Sequence, residues 1–203
     1  MNRLFSRNVD IYKNADINWR MNTEDNVENY IVLADGYRDS TIQLLQDLLT
    51  DNAGHRADSI IFPIMFCTYQ YVELVLKAIL ILNGRLNGKA NHNIKQYLAD
   101  VEQLLVDDGN LQQEVSNHLS VISTYIDDIY GNISYTDLKG KQSMAFEFAR
   151  FPTGNDGLTP LFYVKGNDEL ISIDLENYLS MVKNMADVLD GLFQMYINRE
   201  GAN

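Results

Sequence analysis

The chain has 203 residues, with 16 Lys and Arg against 28 Asp and Glu, and a formal net charge of −12. Such acidity repels phosphate backbones at long range and counts against broad non-specific nucleic-acid binding, although it leaves a local basic pocket open. Hydrophobic residues make up 46% and charged residues 22%. That is an ordinary balance for a globular chain with one sizeable core, and it excludes collagen-like or low-complexity character.

Residues 1–23 mix Asn, Arg and Asp with isolated apolar residues and read as an irregular arm with at most a short helix. Leu4, Phe5, Ile11, Tyr12, Ile17 and Trp19 are its candidates for docking on the body. The arm has no apolar run of the kind a signal peptide needs. The single cysteine, Cys67, allows no intramolecular disulfide and fits a reducing, cytoplasmic setting. Its apolar surroundings make it a buried, inert thiol.

A first long helix is expected over 26–51. Thr23 or Asp25 is its candidate cap, with Glu28 at the offset from Asp25 that closes a capping box. Val27, Tyr30, Ile31, Ala34, Tyr37, Thr41, Leu44, Leu45, Leu48 and Leu49 recur at spacings of three and four and mark one buried face. The second helix, 57–83, contains the most apolar run of the chain, SIIFPIMFCTYQYVELVLKAILIL. It is apolar nearly all round, as a helix surrounded by others should be. The run is long enough to cross a membrane, but Gln70, Glu73 and Lys77 sit within it and other amphipathic helices can cover it, so no membrane span is expected. Pro63 falls in the first turn or removes an early hydrogen bond, depending on where the helix starts.

A Gly- and Asn-rich loop follows, RLNGKAN. His92 and Asn93 open a third helix to about residue 106, and a fourth is expected over 111–130. Helical periodicity then disappears. Residues 133–173 read as a loop with a small β-hairpin insertion, its strands at 161–164 and 169–173 around Lys165-Gly-Asn-Asp168. Asp174 caps a last helix to about residue 198. The expectation is a mainly α, single domain over 1–203: an up-and-down bundle of about five long helices with a hairpin insertion before the last.

Three constellations could carry chemistry. Gln70, Glu73 and Lys77 share one face of the most apolar helix. A buried carboxylate and ammonium are costly unless paired, so Glu73 and Lys77 either neutralise one another structurally or line a cleft in which Glu73 is a base or ligand-orienting group. His92 opens a helix, where it is either a cap bonded to the backbone or part of an anion site. Arg150, beside Phe151 and Pro152, anchors a turn by stacking or by pairing with Glu147, or binds a ligand; Arg56 joins it if the loops meet. Walker, GxGxxG, HExxH, GxSxG and CxxC signatures are absent from the sequence, and no metal or cofactor is implied.

Arg56-Ala-Asp, Phe62-Pro63, Tyr71-Val-Glu73-Leu-Val-Leu-Lys77 and His92-Asn-Ile-Lys-Gln-Tyr-Leu98 together resemble the HEPN-like helical proteins, as does Arg150-Phe-Pro before a Gly-containing turn. The resemblance implies an all-helical up-and-down bundle, frequently dimeric, associated with toxin–antitoxin, phage-defence or RNA-processing systems. Active HEPN ribonucleases carry an Arg, usually followed by a polar residue, with a His a few residues on and late in the bundle. Arg85 and His92 satisfy that spacing formally. Leu86 follows the Arg, however, and the pair lies in a loop after the second main helix. The reading is therefore a HEPN-like homodimer that binds a protein partner or small ligand without catalysis, possible RNA binding being disfavoured by charge. The alternatives are a metal-independent ribonuclease using Arg85 and His92, and a small-molecule enzyme with a Glu73/Lys77 pocket.

Overall fold

A computed structural model of the chain describes residues 4–17, 22, 24–86, 91–109, 113–132, 135–136, 142–143, 149 and 172–200. Five long helices dominate: α1 Asn26–Thr50, α2 Ala57–Leu82, α3 Ile94–Asp107, α4 Gln113–Asn132 and α5 Leu175–Glu200. The chain is mainly α, as its periodicity requires.

Local signals place the helix starts. The Asp25 carboxylate accepts from the amide of Glu28 at 3.0 Å, which makes it the cap of α1. The Glu28 carboxylate accepts from Asn22 Nδ2 at 2.9 Å, so the second half of the expected capping box goes to Asn22. Asn93 caps α3 through the amide of Gln96. Asp174 caps α5, accepting from the amides of Glu176 and Asn177 at 2.9 and 3.0 Å. At the start of α2 Arg56 holds the cap position and the Asn52 side chain accepts from Ala57 N at 2.8 Å. With the helix beginning at Ala57, Pro63 lies inside it and removes one early hydrogen bond. Gly84 and Gly109, at φ 63° and 67°, take the left-handed conformation that closes the ends of α2 and α3.

α2 is the axis of the bundle. Ile64, Tyr71, Val72, Leu76, Ala78 and Ile79 are completely buried, and α1, α3 and α5 all pack on it. Burying each large aliphatic side chain is worth about 1.5–3 kcal/mol, so this stretch carries much of the stability. Among the described residues α2 is the one helix long and apolar enough to span a bilayer, with a mean hydropathy of 1.6, and 72% of that window is buried inside the bundle.

The helix directions depart from a simple up-and-down order. α1 and α2 form an antiparallel hairpin, with Tyr37 and Phe66 edge to face at 6.1 Å between ring centres. α3, however, runs in the same sense as α2. His92 meets Glu73, Lys77 lies against Tyr97, and Arg85 meets Asp107, so both helices advance together. α3 therefore begins beside Glu73, well back along α2 from the end of that helix. α4 reverses again, with Lys95 paired to Asp127 at 3.1 Å. α5 runs with α2 and α3: Tyr178 bonds Thr68 at 2.9 Å near its start, and Arg199 bonds Asp108 at 2.8 Å near its end. The sequence could not show this, because amphipathic periodicity reveals which face is buried and not which neighbour covers it.

One further expectation changes. The N-terminal arm does not dock its apolar side chains on the body: Leu4, Phe5, Val9 and Tyr12 are between 84% and 101% exposed. The arm is organised instead by its own polar groups. Asn8 N donates to Asn14 Oδ1 at 2.7 Å and Asp10 caps a short 3₁₀ turn, Ile11–Lys13. Trp19 and residues 161–171 of the expected hairpin lie outside the described residues, and residues 172–173, at its end, are not in a strand. The strand pairing that is described falls earlier, where Tyr135–Thr136 (β1) pairs antiparallel with Gln142–Ser143 (β2).

Candidate functional site

Glu73 and Lys77 are the only charged residues in the described core, at 2% and 5% exposure. One helical turn separates them, in the order that favours an ion pair, and Lys77 Nζ donates to Glu73 Oε1 at 2.5 Å. The Lys77 ammonium also stands 5.1 Å from the centre of the Tyr97 ring, close enough for the ring to add to its stabilisation. The pair thus meets its own desolvation cost through a hydrogen bond, an opposite charge and an aromatic face.

His92 completes the cluster from outside. Its Nδ1 lies 3.0 Å from Glu73 Oε1 and 3.4 Å from Oε2, while its side chain is 82% exposed. When the imidazole is neutral, a proton on Nδ1 facing the carboxylate leaves Nε2 as the acceptor. Tyrosines fix the loop that carries it. Tyr69, one turn before Glu73, donates its hydroxyl to the His92 carbonyl. Tyr97 donates to the Asn91 carbonyl at 2.7 Å and accepts from the Asn91 amide at 2.9 Å. Tyr130 of α4 lies beside Tyr69. Burial holds the Tyr69 phenol well above its ordinary pKa, with Tyr130 and the Glu73 carboxylate adding to the shift. It therefore acts as a neutral donor.

The structure brings Glu73, Lys77 and His92 together and disperses the other candidates. Gln70 is half-buried on α2. Arg56 is exposed at the start of α2, about 25 Å along the helix from Glu73, and bonds the Asp51 carbonyl at 3.3 Å. Arg85 ion-pairs with Asp107 at 2.9 Å. Since α3 has 14 residues, His92 and Arg85 sit at opposite ends of it, about 20 Å apart. Arg150 lies outside the described residues. Among the described residues no three His, Cys, Asp or Glu side chains cluster as a metal site requires. Cys67 is half-buried rather than fully buried, and burial raises its thiol pKa, which suppresses the reactive thiolate.

Sequence reasoning named Glu73, Lys77 and His92 but left out Tyr69 and Tyr97. The spacing Tyr69–Glu73–Lys77, one turn at each step, was the available signal for Tyr69. Tyr97 could be placed only once α3 was known to lie alongside α2 in the same sense.

The fold and the cluster define a class: an all-α bundle whose central helix holds a buried carboxylate–ammonium pair capped by an exposed histidine. Residues 63–150 match the family model of the HEPN domain, so that stretch is similar to HEPN domains. The match begins inside α2 and takes in α3 and α4, leaving α1 and α5 outside it. No curated protein and no solved structure matches the chain.

Proposed function

We propose that this is a HEPN-like bundle that works by binding a protein partner and not by catalysis, as a cytoplasmic homodimer in a bacterial stress or phage-defence system. The observation that carries the non-catalytic part is the separation of Arg85 from His92. Each is committed to a different carboxylate, Asp107 and Glu73, about 20 Å apart within one copy. The exposed apolar side chains of the N-terminal arm support the partner-binding part, since such groups mark interaction surfaces when they gather on one segment. Light scattering of the purified chain tests it together with a metal-free RNA cleavage assay. The expected result is a stable dimer without turnover; a strict monomer or His92-dependent cleavage overturns it.

One observation favours a second reading, a metal-independent ribonuclease. His92 is held by a buried carboxylate at Nδ1 and is open to solvent elsewhere, which is how an enzyme orients a general base. On that reading RNA is cleaved without metal, and cleavage is lost in His92→Ala and in Arg85→Ala. The arginine partner then has to come from a second copy.

A further inference from the structure

A second feature stands apart from the Glu73 cluster and does not depend on the function proposed for it. A cavity of about 320 Å³ opens between α2, α4 and α5. Its size falls at the lower end of the range for small-molecule sites. Met65 from α2 and Met181 from α5 supply thioether surface, and Tyr125 from α4 and Tyr178 from α5 supply phenol rings. Tyr178 is fixed by the bond from its hydroxyl to Thr68. Two carboxylates complete the wall, Asp128 from α4 and Asp174 at the start of α5.

The charge pattern decides what such a cavity takes. None of its described lining residues is Lys, Arg or His. The helix end that would otherwise attract an anion is already served by Asp174, whose carboxylate accepts from the amides of Glu176 and Asn177 and from Asn177 Nδ2. An anion would meet two aspartates and gain no donor in return. A cation with an apolar body meets carboxylates, aromatic rings and polarizable sulfur, all of which favour it. We propose that this cavity binds small organic ammonium cations carrying an aromatic or branched apolar group.

The test uses the full chain and benzyltrimethylammonium as the probe, with benzyl alcohol and phenylacetate as neutral and anionic comparators, followed by calorimetry or ligand-observed NMR. Saturable binding of the cation is expected, weaker by about tenfold in the double variant Asp128→Asn/Asp174→Asn, the scale of a desolvated cation–aromatic and charge contact. Asn caps a helix about as well as Asp, so this variant removes charge and keeps the start of α5. Its circular dichroism is expected to match the parent. A control variant, Asp47→Asn/Asp100→Asn, removes the same charge from exposed sites on α1 and α3 and is expected to bind as the parent does. The proposal is overturned by absent or unsaturable binding, by equal binding of phenylacetate or benzyl alcohol, by an unchanged double variant, or by an equal loss in the control.

Discussion

Lys77→Met is the most informative single change in this molecule. It removes the ammonium from a carboxylate that is 2% exposed and keeps nearly the same volume against Tyr97. Breaking a buried pair by deleting one partner typically costs about 3–5 kcal/mol, because the remaining charge is left uncompensated. A domain of this kind is stable by only about 5–15 kcal/mol, so the loss is a large fraction of the whole. The structure adds a condition. Glu73 keeps a second contact, His92 Nδ1 at 3.0 Å, so the loss is expected toward the lower end of the range of about 3–5 kcal/mol. The double variant Glu73→Gln/Lys77→Met has no buried charge and is expected to be nearly as stable as the parent, as apolar or neutral replacements of buried pairs often are. Urea denaturation of the parent, the single variants Lys77→Met and Glu73→Gln, and the double variant, with m-values compared, measures the coupling directly. A single-variant cost below about 1 kcal/mol would mean that the pair is hydrated, and additive losses in the double variant would mean that the two residues do not act as a unit. Either result refutes the reading of a closed, mutually neutralised pair.

Two pH effects follow from burial elsewhere. Burial raises the phenol pKa values of Tyr69, Tyr71, Tyr125 and Tyr178, so the native state holds these protons more tightly than the unfolded chain. Their contribution is complete below the unfolded value, about 10, and is lost as pH rises above it. The last part of the tyrosinate absorbance is accordingly expected to appear only with loss of helical circular dichroism, and a rise that is complete before unfolding counts against the packed core described here. Asp190 also has a raised pKa: burial outweighs the Arg38 guanidinium 3.2 Å away, and Asp35 and Asp187 add repulsion. Stability linked to this group is present at acid pH and falls as pH rises through the carboxylate range. Asp190→Asn is expected to flatten that part of the melting-temperature profile and to change neutral stability by under about 1 kcal/mol, since the carboxylate is half exposed. A neutral-pH loss above about 2 kcal/mol would show that the Arg38 ion pair dominates.

Much of the helical layout was legible because it rests on local physics. The Asp25, Asn93 and Asp174 caps, the Gly84 and Gly109 stops and the three-and-four spacing of apolar residues each act within a few residues of chain. The Glu73–Lys77 pair was legible for the same reason, as a one-turn spacing in an otherwise apolar helix. His92 was named, but as a cap or anion contact. Its meeting with Glu73 depends on the path of the connection 83–93, which no periodicity encodes. The arm illustrates the opposite error. Its isolated apolar residues suggested docking, yet Asn8, Asp10 and Asn14 fold it on itself and hold Leu4, Phe5 and Val9 in solvent.

The direction of α3 links these points to function. An antiparallel α2–α3 hairpin joined by a short turn would keep Arg85 and His92 within a few residues' reach at one end of the bundle, as their spacing of seven positions suggests in the sequence. Instead His92 stands beside Glu73, about three turns back along α2, and Arg85 stands beside Asp107 at the far end. In that placement the imidazole is exposed while the pair beneath it is buried. Whether the cluster serves as a structural clamp or as half of a catalytic pair therefore turns on a second copy. Within one chain the arginine cannot reach, and only an arrangement that places Arg85 of one protomer against His92 of its partner could restore the pair.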